Sequence, residues 1–278
     1  MPSREQTITD AVRLFEQATY PTGLNAETAW LGIYQTLLWY EPVNWLGFGE
    51  LPHIIDADKL RPSSPVKRRT WTSASPWQLR AESINQYLAN HLGCPADQAP
   101  GKVDLLMKGS DYLGMQRQNP LGIAFIGLIQ HVLQRFGPTH ILYETESQAT
   151  SVFPGIAFPG RSGTPRIDVL ASKGGIPRAI LSAKWSVRHD RMSDITNECP
   201  VYKAAYQRIF RQARQEPLLY YVLTNEYDPA RLTKLLDDSC VDGVVHIHKA
   251  AVVEVCQLNG RLGDLLDLSE LIQLTSSW

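Results

Sequence analysis

The stretch Arg166-Ile-Asp168-Val-Leu-Ala-Ser-Lys173-Gly-Gly-Ile-Pro177-Arg178-Ala-Ile-Leu-Ser182-Ala-Lys184 decides the architecture. Two short runs rich in Ile, Leu, Val and Ala, from Arg166 to Ala171 and from Arg178 to Trp185, flank a Gly-Gly pair, the pattern of two strands joined by a hairpin-like turn. Each run is apolar yet carries one charge within it or at its end, Asp168 on the first and Lys184 on the second. A buried strand tolerates such groups only when they are paired or hold a metal. The pair reads either as a structural ion pair across a hairpin or as the heart of a hydrolytic centre. In the second case the carboxylate holds Mg²⁺ and the lysine orients or deprotonates the attacking water.

Outward from the hairpin, Thr139 to Glu144, Leu218 to Thr224 and Gly243 to His248 are further short strands, bounded by Gly, Pro or Asn. Helical spacing marks Tyr202 to Gln215, Pro229 to Asp237 and Leu262 to Leu274 after the hairpin. Before it, Glu5 to Thr19, Ala26 to Tyr40, Pro76 to Leu92 and Leu121 to Phe136 are helical, the last ended by Gly137-Pro138. The order predicts an α/β fold, a mixed central sheet flanked by helices. A mostly helical N-terminal subdomain, 1–115, packs as one unit with an α/β subdomain, 116–278.

At 278 residues, 44% hydrophobic and 20% charged, the chain has the composition of a globular protein with a sizeable core. Its apolar runs fall short of the roughly 20 residues that span a bilayer, and the polar N-terminus carries no secretion signal, so the expected compartment is the cytoplasm. Cys94, Cys199, Cys240 and Cys256 lie far apart with no CxxC pair, and none is expected to form a disulfide.

The net charge of −1 hides a lopsided arrangement. Lys59 to Arg80 holds six Lys or Arg and no acid, with Trp71 and Trp77 interleaved; Arg161 to Arg191 holds seven bases against Asp168 and Asp190. From Thr224 onward nine acids face four bases. Basic stretches with aromatics suit a phosphate backbone, although either stretch alone reads as solvated loop charge.

The residues beyond Lys184 separate the two readings of the charged pair. Arg188-His-Asp190-Arg191 comes directly after the strand, and Glu198 stands thirteen intervening residues beyond the lysine. This block, about Pro165 to Arg211, resembles the CCGG-recognising type II restriction endonucleases of the PD-(D/E)xK superfamily. In that family the acid two residues before the lysine is replaced by a small residue, and a later glutamate supplies the missing carboxylate; Ser182-Ala-Lys184 with Glu198 is similar to that swap. The resemblance implies that Asp168 and Glu198 hold Mg²⁺, that Lys184 positions the water, and that Arg188, Asp190 and Arg191 read C·G pairs. Their chemistry agrees: arginine engages guanine N7 and O6 bidentately, and a carboxylate accepts from the cytosine amino group. Pro200, two residues after Glu198, is expected to open a helix with the glutamate just ahead of it.

The family also implies a further acid on an upstream helix. Glu82 is the candidate, with Glu144 and Glu146 as weaker competitors. The implied activity is Mg²⁺-dependent cleavage of double-stranded DNA at a palindrome with a CCGG centre, leaving 5′-phosphates and 5′ overhangs. A palindrome implies a homodimer on the DNA. Open alternatives are the same chemistry on an interrupted CC-N-GG site, a repair or junction nuclease of the superfamily, an inactive DNA-binding module, and an α/β protein with a structural Asp168–Lys184 pair. His246-Ile-His248 places two rings on one face of a strand but lacks a third zinc ligand.

Overall fold

A computed structural model describes residues 3–17, 23–44, 89, 93–98, 120–159, 163–185, 187, 189–210, 216–255, 258 and 260–278. Most of the expected helix from Pro76 to Leu92, the basic stretch from Lys59 to Arg80 with Trp71 and Trp77, and Glu82, Arg161, Arg188 and Cys256 lie outside these residues.

Among the described residues three α-helices come first: α1 (Arg4–Gln17), α2 (Ala29–Asn44) and α3 (Pro120–Phe136). After them come β1 (Leu142–Gln148), the single turn α4 (Ala149–Val152), β2 (Arg166–Lys173), β3 (Ile176–Lys184) and the long α5 (His189–Ile209). The chain continues through β4 (Leu219–Thr224), α6 (Pro229–Leu236), β5 (Gly243–His246), α7 (Lys249–Val255), β6 (Leu265–Asp267) and α8 (Leu268–Leu274). The strands lie in sequence order in one mixed sheet: β1, β2 and β3 pair antiparallel, whereas β3 through β6 pair parallel.

The hairpin forms where the sequence places it. Lys173 pairs with Ile176 across Gly174 and Gly175, whose φ values of 58° and 79° are what a two-residue hairpin turn of this twist requires and what only glycine adopts freely. Beyond β3 each parallel strand is reached by a helical crossover, and α6 starts where the Asp228 side chain accepts the N–H groups of Ala230 and Arg231 ahead of Pro229.

Both faces of the sheet are covered. Leu14 and Phe15 of α1, Ile33 and Leu37 of α2, and Phe125 and Leu128 of α3 pack with Leu181 and Ala183 of β3 in one apolar layer. Ile195, Tyr202 and Tyr206 of α5 and Leu232 and Leu235 of α6 pack with Ile180, Tyr220 and Val222 in the other. The alternation along β3, period two, sends each side chain to its layer. No described helix is long and apolar enough to cross a membrane.

Four expectations are corrected. Leu262 to Leu274 is not one helix but a short 3₁₀ turn, the three-residue β6 and α8, whose start is fixed by a capping box between Asp267 and Glu270. The helix expected from Tyr202 starts at His189 and runs through Pro200, so Glu198 lies in its body. Proline inside a helix costs about 3 kcal/mol through its lost N–H and clash, but the packing of Ile195, Cys199 and Tyr202 against the sheet holds the helix on both sides of it. Cys199 and Cys240 form a disulfide, tying α5 to the loop before β5. The fourth concerns His246 and His248: only His246 belongs to β5, the His248 N–H donates to His246 Nδ1 at 3.1 Å, and the His248 ring stacks on Trp30 with centroids 3.7 Å apart.

Candidate active site

The β2–β3 register brings the two charged strand residues together. Val169 faces Leu181 across the pair, so Asp168 lies beside Ser182 at the same end of the hairpin where Lys184 finishes β3. Asp168 Oδ2 accepts the backbone N–H of Ala183 at 2.9 Å and the Ser182 hydroxyl at 3.4 Å, and it forms an ion pair with Lys184 Nζ. The two side chains are mostly buried, at 12% exposed for Asp168 and 21% for Lys184.

These residues line a cavity of about 350 Å³ between the sheet and α5. Asp168, Ser182 and Lys184 come from the sheet, while Asp194, Glu198 and Tyr202 come from α5. The continuous helix explains why Glu198 reaches this space: Asp194 and Glu198 are four residues apart, hence on one helical face, and buried Ile195, Cys199 and Tyr202 turn that side of the helix toward the sheet. One cavity is therefore lined by Asp168, Lys184 and Glu198, three of the residues singled out in the sequence. Asp194, which sequence reasoning missed, joins them; its spacing of four from Glu198 was the available signal.

Tyr220 lies beneath the cavity. Burial pushes its phenol well above its ordinary value, the negative charges of Glu198 and Asp168 add to the rise, and a hydrogen bond with Ser182 opposes it. It is a neutral hydrogen-bonding group at any physiological pH.

Glu146 also lines the cavity, from a place on β1 opposite Asp168, between the Thr145–Val169 and Ser147–Ile167 pairs. It is paired with Arg4 and Arg166, so it serves those cations rather than a metal. Glu144 is exposed and does not line the cavity. Of the expected base-reading residues, Asp190 and Arg191 fall in the first turn of α5, directly after the segment that leaves Lys184; Arg188 lies outside the described residues.

The approach to α5 is fixed from below. Glu226, 2% exposed, accepts the N–H groups of Val187, Tyr227 and Asp228 and an N–H of Arg231, satisfying both of its carboxylate oxygens. Val187, just before Arg188, is itself fully buried.

An all-oxygen donor set of Asp168 and Glu198 suits a hard cation such as Mg²⁺, which is commonly held by one or two carboxylates with water and substrate oxygens completing its shell. Among the described residues no cluster of three His, Cys, Asp or Glu forms a ready-made metal cage. No family model matches the chain, and neither does any curated protein or solved structure.

Proposed function

We propose that the protein is a Mg²⁺-dependent endonuclease of the PD-(D/E)xK type that cuts both strands of DNA at a palindrome with a CCGG centre. The observation that carries this reading is the convergence of Asp168 and Lys184 on adjacent strands with Glu198 on α5 around one cavity, with Ser182 standing where an acid is usual. A purely structural ion pair would need no such opening beside it, and no second carboxylate facing it across the gap.

In this reading Asp168 is held by the Ala183 N–H, which fixes its carboxylate relative to β3. Lys184 lies beside it, where an ammonium orients the attacking water and stabilises charge gathering on the phosphoryl oxygens. Glu198 approaches from the opposite wall. Bound Mg²⁺ would add Lewis-acid stabilisation of that charge, with Asp168 and Glu198 as its protein ligands. Asp190 and Arg191, at the start of the helix that carries Glu198, and Arg188 before it couple base reading to the catalytic wall through a single element. Two copies on the two half-sites would cut both strands, leaving 5′-phosphates and 5′ overhangs.

The test is incubation of the purified protein with a long unmethylated duplex of known sequence, with Mg²⁺ and with EDTA, and then sequencing of fragment ends. Discrete Mg²⁺-dependent ends at CCGG-centred sites are expected. Ends at sites lacking both CC and GG would remove the base-reading role of Arg188, Asp190 and Arg191, and DNA binding without cleavage would overturn the enzymatic reading.

A further inference from the structure

The rim of the cavity carries two arginines from distant parts of the chain: Arg4, the first residue of α1, and Arg166, the first of β2. Both converge on Glu146. Arg4 Nε lies 2.7 Å from Oε2 and Nη2 donates to Oε1 at 3.1 Å, a two-pronged contact. Arg166 Nη1 lies 3.9 Å from Oε2 and donates to the Glu146 carbonyl at 3.5 Å. The Glu146 side chain is 9% exposed, against 53% for Arg4 and 48% for Arg166. One buried carboxylate thus holds two half-exposed guanidiniums, and one positive charge is left over at the mouth of a cavity whose inner wall is acidic.

Stability alone does not account for the arrangement. Glu146 has a φ of 57°, a conformation that costs a residue with a side chain on the order of 1 kcal/mol or more, and exposed ion pairs return about 0–1 kcal/mol. The strained backbone sits opposite Asp168, so it fixes the two arginines relative to the catalytic strand. Guanidinium has five N–H donors in a planar fork that matches phosphate oxygens, and one of those on Arg4, at Nη2, is donated to Glu146.

We propose that Arg4 and Arg166 grip backbone phosphates of the DNA strand entering the cavity, with Glu146 as the positioning residue that sets their separation. The inference rests on the nuclease reading and assigns it a sequence-independent anchor beside the scissile phosphate, distinct from base reading by the α5 side of the site.

The experiment measures dissociation constants of the full chain for a labelled CCGG duplex and a scrambled duplex across a salt series in EDTA, for the wild type and for Arg4→Ala, Arg166→Ala, Arg4→Lys and Arg166→Lys. Each lost phosphate contact reduces the slope of log affinity against log salt by about 0.9. Each alanine variant is expected to lose about that much on both duplexes, whereas the lysine variants retain the slope. Unchanged slopes in the alanine variants, with wild-type binding and cutting intact, overturn this inference and leave the nuclease reading standing. Equal losses in the lysine and alanine variants also overturn it, since they mark a structural role. A wild type that binds neither duplex removes the nuclease reading and this inference with it.

Discussion

The buried carboxylate of Glu226 accepts the backbone N–H of Val187 at 2.9 Å, although 39 positions separate the two residues. The contact fastens the short segment between Lys184 and α5 to the loop after β4. Glu226→Gln presents an amide group to donors that previously met an oxygen, so it is expected to destabilise the fold by about 2–3 kcal/mol. Chemical denaturation measures this, and an unchanged midpoint would show that the segment is held by packing alone. In the cleavage assay the same variant should relax site choice more than it slows the chemistry.

Lys184→Ala and Asp168→Asn each remove a group that the proposed function sets against the reacting phosphate. Loss of one preorganised charge of this kind slows chemistry by about 10²–10³-fold. Single-turnover cleavage should fall at least that far while binding to a CCGG duplex persists; retained cutting in either variant would exclude it from the centre.

Asp194 and Glu198 share a face of α5 but are expected to differ in weight. Glu198→Gln should abolish cleavage at any Mg²⁺ concentration. Asp194→Asn should instead raise the Mg²⁺ concentration required by about tenfold, the usual effect of disturbing a group beside a metal ligand. A Mg²⁺ titration of cleavage rate separates the two, and identical profiles would deny the distinction.

Reduction of the Cys199–Cys240 bond releases a loop with a sequence separation of 41. A bridge of this span stabilises a fold by about 2–4 kcal/mol. Thermal melts with and without dithiothreitol should differ by several degrees, and Cys199→Ser should match the reduced protein.

Alkaline unfolding is expected from three tyrosines. Burial raises the phenols of Tyr143, Tyr220 and Tyr221 above their ordinary value, with Glu198 adding to the rise at Tyr220 and Asp242 at Tyr221. The unfolded chain releases these protons at lower pH than the folded one does. The stability they contribute is therefore complete below about pH 10 and is lost as pH rises through their folded values. Circular dichroism and phenolate absorbance should change together above pH 10. Ionisation of all eleven tyrosines before any loss of structure would contradict the burial.

The hairpin was legible in the sequence because its signals are local: a Gly-Gly turn between apolar runs, and charges that such runs do not carry without reason. The meeting of Asp168 with Lys184 came from the same few residues. Glu198 was misplaced relative to its helix because Pro200 imitates a helix start, and only the tertiary packing of Ile195, Cys199 and Tyr202 carries α5 through it. The Cys199–Cys240 bond has no local signature, since a crossover strand and helix bring its ends together. β6 is three residues long and owes its strand character to the neighbouring β5. The pairing of Glu146 with arginines from α1 and β2 depends on a backbone conformation that no composition or spacing announces.

Ser182 and Lys184 alternate along β3 with Leu181 and Ala183, which belong to the apolar layer under α1, α2 and α3. A slip of β3 by one residue against its neighbours would turn the lysine into that layer and offer the cavity an alanine methyl instead. Mispaired chains are therefore chemically mute as well as unstable. For the proposed nuclease this would be a safeguard: the paired Asp168 and Lys184 exist only in molecules whose sheet has been assembled in register.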